Sequence, residues 1–134
     1  MVEIDVEYTG DLHCQLMHGP SGAKIQTDAP KDNEGKGEAF SPTDLVAAAL
    51  GSCMLTIMGI VARRHAINMT GARAHVEKEM ASDPRRISKL PVQITLPVDL
   101  SSKERKILEA AALTCPVHKS LHPDIVSKIE FRYR

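Results

Sequence analysis

The amino-acid sequence predicts an α+β domain in which a mainly antiparallel sheet is organised around one long central helix. Three observations carry this expectation. Apolar and polar residues alternate in several short stretches. One segment, Leu45 to Ala62, contains no charged residue. The alternating stretches come in runs before and after that segment rather than in regular strand-helix units. With 134 residues, 43% of them apolar, the chain is long enough to bury one core, so residues 1–134 are read as a single domain.

Taken in order, Val2, Ile4, Val6 and Tyr8 alternate with Glu3, Asp5 and Glu7, the period of a strand with one wet face. Thr9-Gly10-Asp11 turns the chain, and Leu12, Cys14 and Leu16 continue the apolar face opposite Asp11, His13 and Gln15, completing a hairpin. After the turn at Gly19-Pro20-Ser21-Gly22, Ala23, Ile25 and Thr27 alternate with Lys24, Gln26 and Asp28 as a third, weaker strand. Residues 28–40 are polar, glycine-rich and aperiodic, which predicts a mobile connecting loop. Ser41-Pro42-Thr43-Asp44 then opens a helix: Ser41 is a good N-cap, Pro42 suits the first helical position, and Asp44 favours the positive end of the dipole.

That helix is expected to reach about Ala66, with Arg63, Arg64 and His65 at its negative end. At roughly 35 Å, and apolar nearly all round, it exceeds what a domain of this size covers alone. Its alanines and glycines allow close approach by a second copy, so a homodimer is expected. Its length would permit a membrane span. The small residues Ala47, Ala48, Ala49, Gly51, Ser52 and Gly59, and the absence of tryptophan, favour a buried helix instead. Downstream, Ala72, Ala74 and Val76, then Val92, Ile94, Leu96 and Val98, mark two strands joined by the charged turn Asp83-Pro84-Arg85-Arg86. Ser101 and Glu104 form a capping box for a second helix carrying Ile107, Leu108 and Ala111, which ends near Thr114 before Pro116. Ile129, Phe131 and Tyr133 alternate in a closing strand.

Seventeen basic residues balance seventeen acidic ones and are interspersed with them, so no one-signed field draws the chain to nucleic acid or an anionic membrane. Three cysteines cannot all pair within the chain, and Met1-Val2-Glu3-Ile4-Asp5 lacks the features of a signal peptide. A reducing, cytoplasmic setting is expected, where cysteines are more often reactive or metal-binding than structural.

Cys53 lies in the middle of the long helix on the face of Ala49, Leu50, Ile57 and Ile60, a position that by itself suits a small core residue. Cys115 follows Ala111 by one turn, where the chain breaks. If it caps a turn beginning at Pro116, backbone amides favour its thiolate; if it only ends the preceding helix, carbonyls disfavour it. The sequence admits both. Two helix-borne cysteines in contact would form a redox couple, one attacking an oxidant and the other resolving the sulfenic acid as a disulfide. Cys14, on an apolar strand face, reads as core. Cys115 and His118, with His122 or Cys53, have a metal-like C-x-x-H spacing, but Pro116 and Pro123 interrupt any regular presentation, so neither metal nor cofactor is expected.

The run Phe40-Ser41-Pro42-Thr43-Asp44-Leu45-Val46-Ala47-Ala48-Ala49-Leu50-Gly51-Ser52-Cys53, with Cys115-Pro116-Val117-His118-Lys119-Ser120-Leu121 downstream, resembles the OsmC/Ohr family of osmotically inducible and organic-hydroperoxide-resistance proteins. The resemblance covers nearly the whole chain. It implies an intertwined homodimer with the long helices at its centre. It also implies a cysteine-based peroxidase that reduces hydrophobic organic hydroperoxides in oxidative stress defence. Cys53 would be the peroxidatic cysteine, Cys115 the resolving one, and an external dithiol the reductant. In the peroxidase branches of the family, a Glu near the helix start works with an Arg from an N-terminal loop. Here Thr43 stands at the Glu position, with Asp44 beside it and Glu38 upstream as acidic alternatives, and no Arg precedes Arg63. Lys24, Lys36, or Arg85 or Arg86 of the partner subunit are the cations available. This departure points to an OsmC-like side branch and sets a second expectation beside the first: a non-catalytic binding or redox-sensing module that retains the cysteines.

Overall fold

The N-terminal alternation forms β1 (Ile4–Gly10), which turns through Asp11 and Leu12 into β2 (His13–His18), followed by β3 (Lys24–Asp28). Asp11 and Leu12 both have positive φ, the backbone hand that tight hairpins favour. The three strands make an antiparallel sheet in sequential order, with Val6 opposite Leu16 and Leu16 opposite Ile25. In this computed structural model, which describes residues 1–134 throughout, the sheet belongs to the first of two compact units, Met1–Val46; the second is Ala47–Arg134.

In the first unit, the apolar face of the sheet is bare: Ile4, Val6 and Tyr8 are 60%, 62% and 63% exposed. The segment after β3, expected to be mobile, is instead closed on itself. It contains a 3-10 turn (Lys31–Asn33), and the amides of Gly35 and Gly37 donate to the carbonyls of Pro30 and Ala29. Gly35 is required there, because a Cβ would lie 1.7 Å from the Ala29 carbonyl oxygen. The same closure corrects two assignments of side-chain direction. His13 and Asp28, read as solvent-facing, are buried, because the chain returns over the paired ends of β2 and β3, with the Asp28 amide bonded to the Phe40 carbonyl. Ile25, read as inward, is exposed.

Helix α1 (Pro42–Arg64) begins as expected, with the Ser41 hydroxyl accepting from the Asp44 amide and the Asp44 carboxylate accepting from the Ser41 amide. It stops after Arg64, where Ala66 turns left-handed and the Ile67 amide bonds back to the Ala62 carbonyl. From Ala47 onward its buried residues, Leu50, Gly51, Met54, Met58 and Ala62, form one stripe at helical spacing. It is a core helix whose other sides are exposed or half-exposed.

That stripe belongs to the second unit. Its principal sheet has the order β4-β7-β8, from β4 (Arg73–Val76), β7 (Val92–Leu96) and β8 (Ile129–Tyr133); β4 and β7 are antiparallel, β7 and β8 parallel. Gly51 sets how near α1 comes, since a Cβ there would be 3.0 Å from Val76 Cγ2. The single turn expected between β4 and β7 is a further hairpin, β5 (Glu79–Ala81) with β6 (Arg86–Lys89). Helix α2 (Ser102–Ala112) starts at the expected capping box. It is tied to β8 by the Tyr133 hydroxyl, which donates to Glu109, and by Arg105, whose guanidinium lies 4.0 Å above the Tyr133 ring. Leu90, Val92, Ile94, Leu96, Leu108 and Ala112 complete the core around the α1 stripe. The architecture is α+β and mainly antiparallel, as the sequence predicts.

Candidate functional site

The second unit brings together two of the three cysteines. Cys53 sits half-buried on α1, flanking the stripe between Leu50 and Met54. Helix α2 ends at Ala112, and Cys115 follows as the N-cap of α3 (Pro116–Ser120), its Sγ accepting the His118 amide at 3.4 Å. Of the two settings the sequence admits for Cys115, the structure therefore has the cap. The Cys115 side chain is wholly buried, and the Cys53 thiol acts on it from close by.

Burial pushes the Cys115 thiol above its ordinary pKa and the nearby Cys53 thiol adds to this, while the amides of His118 and Val117 pull the other way. Two neighbouring thiols can exchange a proton, and an oxidised sulfur on one can be attacked by the other once the two are in contact.

The remaining candidates lie in the first unit. Thr43 and Asp44 belong to the helix start: the Thr43 hydroxyl is 3.3 Å from that of Ser41, and Asp44 completes the cap. Glu38 meets His13, with its Oε2 3.3 Å from His13 Nε2, and its amide donates to Asp28 Oδ2 at 3.0 Å. Lys36 pairs with Asp11 at 3.4 Å. Cys14 is half-buried on β2, between Tyr8 and Thr27 of the neighbouring strands.

The C-x-x-H spacing gathers no third ligand. The His122 ring accepts the Asp124 amide, and the group of three metal-ligating side chains that does converge is His13, Asp28 and Glu38. The Asp11 carbonyl, bonded to its ring, is the main reason the His13 imidazole stays protonated above its ordinary value. The Glu38 amide is the main reason the Asp28 carboxyl lies below its own. Sequence reasoning missed this cluster, because His13 and Asp28 occupy polar slots of the alternation. Only the register, which pairs them directly, brings them together.

The fold and the candidate site define an α+β protein with a long core helix that carries one cysteine near a second, capping one. A model of the OsmC-like protein family matches residues 35–130, and the chain belongs to that family. It is similar to a crystal structure from Psychrobacter arcticus 273-4 described as a candidate osmotic stress induced and detoxification response protein. The two are 53% identical, the match covers 98% of this chain and 96% of that one, and the TM-score is 0.92. The organic hydroperoxide resistance protein OsmC of Legionella pneumophila shares the fold at 17% identity, with coverage of 98% and 96% and a TM-score of 0.78. OhrB of Bacillus subtilis shares it at 16% identity, with 98% coverage of both chains and a TM-score of 0.69. Among curated proteins, none matches the chain significantly.

Proposed function

We propose that the protein is a thiol-dependent peroxidase that reduces hydrophobic organic hydroperoxides in oxidative stress defence in the cytoplasm. The observation supporting this reading is the neighbouring pair of Cys53 and Cys115, one half-exposed on a helix and the other buried behind a cap. The half-exposed sulfur is the one a peroxide can reach. Cys53 thiolate attacks the distal oxygen, the O–O bond breaks, and the alkoxide leaves as an alcohol after taking a proton. The Cys53 sulfenic acid is then attacked by Cys115, whose proton leaves with the hydroxyl as water, and the S–S bond forms. An external dithiol reduces that bond by two successive exchanges and is itself oxidised to a disulfide.

A protonated Cys115 suits this order of events, because it does not compete as the first nucleophile and brings the proton the departing hydroxyl needs. The bare faces of β1 and α1 support a homodimer, since a second copy would cover Ile4, Val6, Tyr8 and Ile60. A redox-sensing module is the second reading, favoured by the lack of any arginine among the first 62 residues.

Reduced protein treated with cumene hydroperoxide, followed by thiol counting and intact mass, tests both. The expected result is rapid loss of two thiols, a Cys53–Cys115 disulfide, and a trapped sulfenic acid on Cys53 in Cys115→Ser. Turnover with a dithiol then separates peroxidase from sensor, because a sensor oxidises once and recycles poorly. Thiols that survive excess hydroperoxide would overturn both readings.

A further inference from the structure

The sheet of the first unit carries a second chemical cluster that the thiol reaction does not use. His13 opens β2 and Asp28 closes β3, directly opposite in register. The closed loop, held by Gly35 and Gly37, returns Glu38 to the same point. The geometry points to a site for a divalent transition-metal ion of the zinc and cobalt type, bound by His13 Nε2, Asp28 Oδ1 and a Glu38 carboxylate oxygen, with water completing the shell.

Four features support the assignment. The donor atoms of the three residues all lie within 4.8 Å of one another, with Nε2 3.5 Å from Asp28 Oδ1 and 3.3 Å from Glu38 Oε2. Two ligands bonded tetrahedrally at 2.0–2.1 Å sit about 3.4 Å apart, so an ion fits between them with little movement. The other ring nitrogen, Nδ1, is 2.6 Å from the Asp11 carbonyl and donates to it. In the neutral ring this leaves the Nε2 lone pair facing the carboxylates, the arrangement that orients histidine ligands in metalloproteins.

Asp28 gives the independent sign. Its side chain is 1% exposed; Oδ2 accepts the Glu38 amide, while Oδ1 is buried with no hydrogen-bond partner. An anionic oxygen left so is costly, and a cation bound there would satisfy it. Finally, a neutral imidazole and two carboxylates carry two negative charges, which one divalent ion balances. The nearby Lys36 ammonium is paired with Asp11. A nitrogen donor beside two carboxylates selects zinc, cobalt, nickel or manganese over calcium and magnesium, which take oxygen shells. The Glu38 side chain is 57% exposed, so water can reach the remaining coordination positions.

Zinc titrated calorimetrically into the full-length, chelator-treated and reduced protein tests the site. The expected result is one saturable ion per chain, retained in the Cys53→Ser/Cys115→Ser double variant. X-ray absorption on that complex should show nitrogen and oxygen neighbours without sulfur. Affinity should fall in His13→Ala and Asp28→Asn by at least the 10- to 100-fold that even an outer-shell partner commands. Glu38→Gln, an exposed and conservative change, guards against misfolding and should weaken binding while leaving the circular dichroism unchanged. No saturable uptake, with a proton alone bridging His13 and the carboxylates, would overturn the proposal. So would uptake that survives His13→Ala or is lost with the cysteines.

Discussion

The two units are stabilised by opposite means. Every buried apolar residue of the core, from Ala47 to Cys115, belongs to the second unit, whereas the buried polar residues His13, Thr27, Asp28 and Ser41 all belong to the first. The second unit closes a hydrocarbon core between a helix and a sheet. The first holds its strand ends and loop together by directed hydrogen bonds and leaves its apolar sheet face bare. Burial of apolar surface is forgiving of direction and scales with area, while a polar network works only when each partner is in place. The first unit should therefore be sensitive to single atoms, and the second to lost volume.

Cutting volume from the second unit should have the largest effect. Met54→Ala or Leu50→Ala is expected to cost about 2–5 kcal/mol in denaturant unfolding. Val6→Ala, on the bare sheet face, should cost less than about 0.5 kcal/mol in the isolated chain. The Val6 penalty should grow with protein concentration if a second copy covers that face. Equal penalties at all concentrations would erase the contrast between the units.

Next, Gly51→Ala forces a methyl against Val76 and is expected to cost about 1–3 kcal/mol by overpacking. A stabilised protein would mean that β4 yields to α1. Ser101→Ala, which removes the α2 cap, should cost about 1 kcal/mol. In the first unit, Asp28→Ala takes the acceptor from the Glu38 amide. Hydrogen exchange at residues 29–38 should accelerate while the amides of β7 keep their protection; uniform acceleration would make the two units one cooperative whole.

The smallest effect is on pH dependence. Because the fold raises the Cys115 pKa, the thiol ionises more readily when unfolded. Its contribution is complete below the ordinary cysteine value and is lost as pH rises through the folded one. Stability should thus decline on the alkaline side, and Cys115→Ala should flatten that decline.

Long periodicities were legible in the sequence: the strand pattern, the uncharged helix and both caps follow from spacing and residue type, and the structure has them. The hairpin of β5 and β6 was not legible, because Glu79–Ala81 and Arg86–Lys89 are too short and too charged to show a period. The candidate site was legible in part. The family resemblance singled out Cys53 and Cys115, and spacing offered the cap as one of two settings for Cys115. The balance between burial and amide donation at that sulfur is tertiary. The burial of His13 and Asp28 was hidden for a related reason, since it depends on a loop closure that alternation does not encode.

The Cys115 cap makes the redox state of the protein visible at a distance from sulfur chemistry. The His118 N–H that points at Sγ is held there only while the sulfur keeps its place and its electron density. Any bond formed at that sulfur changes what the amide donates to. The His118 amide resonance is therefore a built-in reporter, readable in a nitrogen-labelled sample without touching either thiol, and under the proposed function it would time the resolving step independently of any assay that consumes peroxide.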